Sequence, residues 1–253
     1  VALALEALPA DSSSASHKAS CAFMQAVDAL QFRGHLRDAN RLASAQTPWL
    51  QPAVMYNMAR VGIMPADTAR AEFRRILALA PRTRITKLYG WWAADGDTAA
   101  IQTYIDGFAE TEGHLNTEST EAMLRASVAA GRAYLALAKR DTSSALKQLL
   151  TTPDTLHECW YDNRLVLVQL LVAKGRYREA GKRLERRWPG STACSNGFDD
   201  VVWTMERGRV FERLGQREQA AGEYAFVADA WRTADPELQP FVREARAALA
   251  RLK

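Results

Sequence analysis

Apolar residues recur at helical spacing along the chain, and short breaks containing glycine or proline separate the apolar runs. The clearest unit is QLLVAKGRYREAGKRL at 169–184, in which Gly175 lies between Leu171 and Ala180. This order fits two antiparallel helices, because glycine permits a tight turn and alanine lets two helix backbones approach closely. No run shows the period-two alternation of a half-buried strand. The pattern therefore predicts an all-α fold.

The same order of turn and small residue returns along the whole chain. Leu214, Gly215 and Ala220 repeat it, and Arg140 takes the place of the glycine before Ala145. The residues at the predicted helix crossings are Ala39, Ala69, Ile101, Ala145, Ala180 and Ala220. Successive crossing residues are 30 to 44 positions apart, which brackets the ~34-residue period of paired-helix repeats. We predict about six antiparallel pairs, at 13–47, 50–81, 83–112, 117–153, 159–188 and 198–234.

A final helix is predicted at 237–252, after the break at Asp235-Pro236. Its apolar residues, including Leu238, Val242 and Leu249, repeat on one helical face. Such a helix would cap the apolar side of the last pair. The sequence thus predicts one α-solenoid domain over residues 1–253, made of helix pairs and a C-terminal capping helix.

The residues of 169–184 resemble the tetratricopeptide repeat. The stretches ERGRVFERLG at 206–215 and ADPELQPFVREARAAL at 234–249 resemble the C-terminal repeat regions of bacterial serine/threonine protein kinases and of repeat-bearing transcriptional regulators. This resemblance implies a non-catalytic scaffold that binds a protein or peptide and serves as the sensory or regulatory part of a larger bacterial signalling protein. The alternative is a structural subunit that assembles into a larger complex or filament, so self-association stays open.

Charge and hydropathy narrow the choice of partners. The chain has 33 basic and 29 acidic residues, and its net charge of +4 is too small and too dispersed for a nucleic-acid-binding surface. No stretch approaches the ~18 to 20 uncharged apolar residues of a membrane-spanning helix. Because the chain opens on Val1, we interpret it as a processed or truncated product, with a removed targeting segment or an upstream kinase or other domain left open. Its cellular compartment, cytoplasmic or extracytoplasmic, is also open.

The motifs typical of catalysis are missing from the sequence. It contains no GxSxG, HExxH, GxGxxG or GxxxxGK[ST], and no HRD or DFG of a kinase. Its histidines lie near predicted helix ends, where solvated or capping roles are usual, and they are His17, His35, His114 and His157. We therefore predict that the chain is not an enzyme and has no catalytic residues, cofactor or metal.

Two of the three cysteines lie at equivalent places. Cys159 and Cys194 each precede the first helix of consecutive predicted pairs, so stacked pairs would bring them to the same end of neighbouring helices. They could form a disulfide, which would favour an extracytoplasmic location, or stay as reduced, partly buried thiols. With His157 they could offer three of the four ligands of a structural zinc site. Cys21 lies on an apolar helical face and is predicted to be in the core.

Two surfaces are candidates for binding. The first helices of tetratricopeptide pairs line a concave face that contacts peptides, and the equivalent positions here are Asp28, Gln31, Gln169, Arg209, Glu212 and Arg213. A basic patch on the second helix of the fifth pair consists of Lys182, Arg183, Arg186 and Arg187 and could dock an acidic segment, a phosphate or nucleic acid. For both sets the alternative is an ordinary solvated helix face.

Overall fold

The computed structural model describes residues 14–46, 50–79, 88–111, 118–151, 161–185 and 197–252, and the regular elements in these ranges are all helical. The predicted all-α class is therefore confirmed for the described residues. A short 3₁₀ helix, Pro236–Leu238, precedes the last α-helix. The α-helices are α1 (Ser14–Phe32), α2 (Leu36–Gln46), α3 (Gln51–Arg60), α4 (Ala66–Leu79), α5 (Leu88–Asp95), α6 (Thr98–Thr111), α7 (Glu118–Ala138), α8 (Thr142–Thr151), α9 (Tyr161–Ala173), α10 (Tyr177–Glu185), α11 (Gly197–Arg213), α12 (Arg217–Ala230) and α13 (Gln239–Leu252).

Six turns in the described part of the chain share one backbone geometry. At the first, the N–H of Gly34 donates to the carbonyl of Gln31 at 3.0 Å, and that of His35 donates to the carbonyl of Leu30 at 2.9 Å. These i→i−3 and i→i−5 bonds define the Schellman motif, which needs a residue with positive φ. Arg140 adopts a φ of +61° in the fourth turn, as expected of a residue in the glycine position. The residues with positive φ are Gly34, Gly62, Gly96, Arg140, Gly175 and Gly215.

The residues predicted to lie at helix crossings are all buried. Each of the six has a relative exposure of 0%: Ala39, Ala69, Ile101, Ala145, Ala180 and Ala220. Five of them follow the positive-φ residue by five positions, whereas Ala69 follows Gly62 by seven. Local turn length thus accounts for part of the drift in repeat spacing.

The chain divides into two compact units, and the first is discontinuous in sequence because it contains 1–63 together with 187–253. In this unit α11 packs against α1, and α13 packs against α12. The N–H of Gly197, the first residue of α11, donates to Oδ1 of Asp28 at 2.6 Å. A Cβ added at Gly197 would lie 2.6 Å from Cβ of Phe32. The first and last helix pairs therefore share one core.

The turn between α1 and α2 also contacts the segment that follows α12. The N–H of Asp235 donates to the carbonyl of Gly34 at 3.0 Å, and Nε1 of Trp231 donates to the carbonyl of Phe32 at 3.1 Å. We call this set of contacts, together with the ion pairs of Arg37 described next, the end contact. These two hydrogen bonds satisfy carbonyl groups at and just after the end of α1 that lack helical partners.

Arg37 completes the end contact. Its two terminal nitrogens bond both carboxylate oxygens of Glu237, at 2.9 and 2.6 Å, and its backbone N–H donates to Asp235 at 3.2 Å. Hydrogen bonding from Arg37 lowers the pKa of Glu237 to about 2. Because the Arg37 side chain is 46% exposed, solvent screens this pair, and it orients the contact more than it stabilises it.

The second unit, 64–186, contains α4 to α10 and is built around aromatic side chains. Tyr89 of α5 is fully buried, stacks on Tyr134 of α7 with ring centroids 5.7 Å apart, and meets Tyr104 of α6 edge-on at 5.3 Å. Burial raises the pKa of Tyr89. The close approach of α7 to this cluster needs a glycine at position 131, where an added Cβ would lie 2.7 Å from the Tyr89 hydroxyl.

Gly131→Ala should therefore destabilise the second unit. The new methyl would also lie 2.6 Å from Cγ1 of Ile105, and we expect overpacking to cost ~1–3 kcal/mol, more than the ~0.5–1 kcal/mol that alanine gains over glycine within a helix. Urea unfolding followed by circular dichroism measures the change. Gly222→Ala is the matched control, because no described atom lies within 4 Å of its added Cβ, and it should stabilise the chain. Equal stabilisation by both substitutions would contradict the packing of Gly131.

Candidate functional site

The helix α7 presents a face of alternating basic and apolar residues. Arg125 and Arg132 of α7, and Lys139 directly after its last residue, are exposed and follow one another at intervals of seven residues. The N–H of Lys139 donates to the carbonyl of Leu135 at 3.2 Å, so Lys139 continues the helical path. Residues at spacings of three, four and seven share one side of a helix, so the half-buried apolar side chains between the basic ones lie on the same side. We call this surface the α7 face, and it consists of Arg125, Val128, Ala129, Arg132, Leu135, Ala136 and Lys139.

The opposite side of α7 fixes this orientation. Ala126, Ala130, Ala133 and Tyr134 are at most 5% exposed, and α7 packs against α5, α6 and α8. Small residues let these neighbouring helices approach closely. The α7 face is consequently held towards solvent on a well-packed element.

A groove lies beside the C-terminal half of the α7 face, and Gln148 of α8 contributes to its lining. Its volume is about 590 Å³, and its described lining comprises Arg132, Leu135, Ala136, Lys139, Asp141 and Gln148. The groove, which we call the α7–α8 groove, is open to solvent. Such a shape suits the side chains of a partner segment better than a small molecule, which usually binds in a more enclosed site.

The charge of the α7–α8 groove is mainly positive. Asp141 is the one acid among its described lining residues, and Oδ1 of this residue accepts a hydrogen bond from the N–H of Ser144 at 2.9 Å, which caps α8. Hydrogen bonds from the hydroxyl and N–H of Ser144 lower the pKa of Asp141. Its carboxylate is thus bonded at the start of α8, and Arg132 and Lys139 give the described lining its excess of positive charge.

The α7 face is not among the binding surfaces predicted from the sequence. The interval of seven between Arg125, Arg132 and Lys139 is visible in the sequence and is the signal that indicates a shared side of one helix.

The predicted peptide-groove residues of the first pair are placed differently from expectation. Gln31 was expected to be exposed, but it is only 6% exposed, because its Oε1 accepts a hydrogen bond from Nδ2 of Asn57 at 2.8 Å. Asp28 is half-buried and accepts the hydrogen bond from Gly197. Both side chains make contacts within the first unit.

Arg209 and Glu212 are bonded to the terminal helix. Arg209 donates two hydrogen bonds of 2.7 Å to the carboxylate of Glu244, and this pairing raises the pKa of the guanidinium. Glu212 accepts hydrogen bonds from the hydroxyl of Tyr224 at 2.8 Å and from Arg251 at 3.1 Å. These side chains fasten α13 to the last helix pair.

The other predicted groove residues, Gln169 and Arg213, are exposed. Gln169 belongs to the second unit, whereas the remaining five belong to the first. That the six contact a peptide stays a prediction.

The remaining predicted residues are only partly covered by the structure. In the basic patch, Lys182 is exposed and Arg183 half-buried, whereas Arg186 and Arg187 lie outside the described residues. His157, Cys159 and Cys194 also lie outside them, so the disulfide and the three-ligand metal site stay predictions. Cys21, predicted to be in the core, is half-buried.

Metal-binding groups and membrane-spanning helices are both absent from the described residues. Among these residues, no three His, Cys, Asp or Glu side chains are grouped closely enough to hold a metal ion. None of the described helices combines the length and apolar character that crossing a membrane requires. No protein-family model, curated protein or solved structure matches the chain.

Proposed function

We propose that this chain is a non-catalytic protein-interaction module built from tetratricopeptide-like helix pairs. The observation that carries the proposal is a Schellman turn that recurs six times in the described residues, each time followed by a fully buried residue at a predicted helix crossing. In arrays of paired helices, the first helices line the surface that contacts partners. The helix α7 is the first helix of its pair, and its face has apolar residues flanked by charged ones, as protein interfaces commonly do.

We further propose that the module is the sensory or regulatory part of a larger bacterial signalling protein. This part of the proposal rests on the resemblance of 206–215 and 234–249 to kinase and regulator repeat regions. The two stretches are joined in the first unit by the ion pair of Arg209 with Glu244 at 2.7 Å. The contact supports treating them as one structural element.

The alternative function, end-to-end assembly into a complex or filament, needs accessible surfaces on the first and last helix pairs. In the first unit these pairs contact each other through Asp28, Gly197 and the end contact. Part of the surface that stacking of copies would use is therefore occupied within the chain itself. This observation favours the interaction module.

Affinity capture from the source organism, followed by mass spectrometry, tests the proposed function. We expect the immobilised chain to retain a small set of other proteins in stoichiometric amounts. Light scattering on the same preparation should give the mass of a single chain over a wide concentration range. Recovery of the chain alone, with a mass that rises with concentration, would support assembly instead.

A further inference from the structure

We propose that the α7 face and the α7–α8 groove bind an acidic amphipathic helix of a partner protein. The inference rests on the proposed function, because it names the partner of the interaction module. Three features of the surface carry it: the spacing of its basic residues, the small apolar residues between them, and its excess of positive charge.

The spacing of the basic residues fits a helical partner. Seven residues of an α-helix rise about 10.5 Å. Arg125, Arg132 and Lys139 therefore recur at that interval along α7 and the residue that directly follows it. A partner helix lying along α7 would present carboxylates at its own positions i, i+7 and i+14 at the same interval. An extended strand instead repeats its same-side residues at about 6.6 or 13 Å. The register of the surface is therefore that of a helix.

The apolar residues indicate where the partner helix would approach. Val128 with Ala129 and Leu135 with Ala136 are adjacent, half-buried pairs that lie between successive basic residues. The alanines leave room for a second helix to approach closely. Leucine-like side chains at intervals of three and four residues would fill these positions, as in other complexes of a helix with a groove.

The charge indicates that the partner is acidic. Arg140 and Lys147 are exposed close to the groove in sequence and add to the positive charge of Arg132 and Lys139. Asp141 is bonded to Ser144 and caps α8. Complementary charge raises the association rate and makes binding sensitive to salt.

A designed peptide tests the proposal on the full chain. The probe is a fluorescently labelled, 22-residue helix-forming peptide with glutamates at three heptad positions, leucines at the anchor positions and alanine or glutamine elsewhere. We expect saturable binding in fluorescence anisotropy that weakens when NaCl is raised from ~0.05 to ~0.5 M. The double charge reversal Arg132→Glu/Lys139→Glu should weaken binding at least ~10-fold and should bind the matched peptide with lysine in place of glutamate.

The control reverses two exposed basic residues elsewhere in the same unit. Lys174→Glu/Arg178→Glu, in the turn before α10 and on α10, changes the net charge by the same amount and avoids the predicted basic patch. It should leave binding of the acidic peptide within ~2-fold of the original. Circular dichroism must show the same helical content for both variants and the original chain. An equal loss in both double variants would assign binding to net charge and overturn the proposal.

Three further results would overturn it. They are no binding of the acidic peptide, equal binding of a peptide of the same composition interrupted by proline, and tighter binding of a single-stranded oligonucleotide at the same residues. Partners captured equally by the original chain and by the Arg132→Glu/Lys139→Glu variant would reject this surface and retain the interaction module. Absence of captured partners together with absence of peptide binding would reject both.

Discussion

Replacing Trp231 by alanine is expected to lower the free energy of unfolding of the first unit by ~3–5 kcal/mol, the usual range for truncating a large buried aromatic side chain. Trp231 is fully buried and stacks on Phe198 with ring centroids 5.4 Å apart. It also meets Phe241 edge-on at 5.5 Å and donates to the carbonyl of Phe32. One side chain thus connects α1, α11 and α13, and chemical denaturation followed by circular dichroism measures its loss.

Trp231→Phe separates packing from hydrogen bonding. The phenyl ring keeps most of the aromatic packing but leaves the carbonyl of Phe32 without the indole donor, for which we expect a smaller cost of ~1–3 kcal/mol. Equal effects of the alanine and phenylalanine variants, or a change below ~0.5 kcal/mol in either, would contradict the described packing.

Gly34→Ala should produce the second large effect, and Gly215→Ala is its matched control. Both glycines have φ of +74° in the same turn motif, so each substitution incurs the ~1–2 kcal/mol cost of placing a side chain in the left-handed region. At Gly34 the added Cβ would also lie 2.5 Å from Cβ of Ala234 and 2.9 Å from Cδ1 of Leu238, whereas no described atom lies within 4 Å at Gly215. The difference between the two variants in the free energy of unfolding therefore measures the effect of the close contacts at Gly34.

We expect Gly34→Ala to be ~1–3 kcal/mol less stable than Gly215→Ala, because relieving the close contacts requires a shift of the 231–238 segment. Unfolding of the two variants in parallel measures this difference directly. Equal destabilisation would mean that the turn at Gly34 is as open as the turn at Gly215. That result would contradict the described end contact.

Local features of the fold could be predicted from the sequence because their causes lie within a few residues. The turn at Arg140 needs only the end of one helix and the beginning of the next, and the buried position of Ala145 follows five residues later. A pattern of apolar residues records such relations directly. The turn positions and the burial of the residues that follow them were therefore predictable.

The packing of α1 against α11 could not be predicted in this way. The bond between Asp28 and Gly197 joins residues 169 positions apart, and no periodicity in a single sequence records such a pairing. The same limitation explains Gln31, a polar residue expected on an exposed face, whose amide is buried against Asn57 of α3. The position of Gln31 on its helix could be predicted from the sequence, but the helix that packs against it could not.

The candidate site also combines a feature that the sequence could predict with one that it could not. The interval between Arg132 and Lys139 could be read from the sequence, and it places both residues on one side of α7. Which side of α7 faces solvent depends on the contacts of Gly131 and Tyr134 with residues of α5 and α6. The structure was needed to identify the α7 face as exposed.

The first helix pair packs on the last within the first unit, and this packing favours the proposed interaction module over end-to-end assembly. Cross-linking tests it most directly, in the variant Arg37→Cys/Glu237→Cys with Cys21, Cys159 and Cys194 replaced by serine. We predict that a short bismaleimide reagent joins the two cysteines within one chain, even at high dilution, and that single-cysteine variants give no such product. Failure to cross-link, or cross-links formed only between chains, would contradict the account.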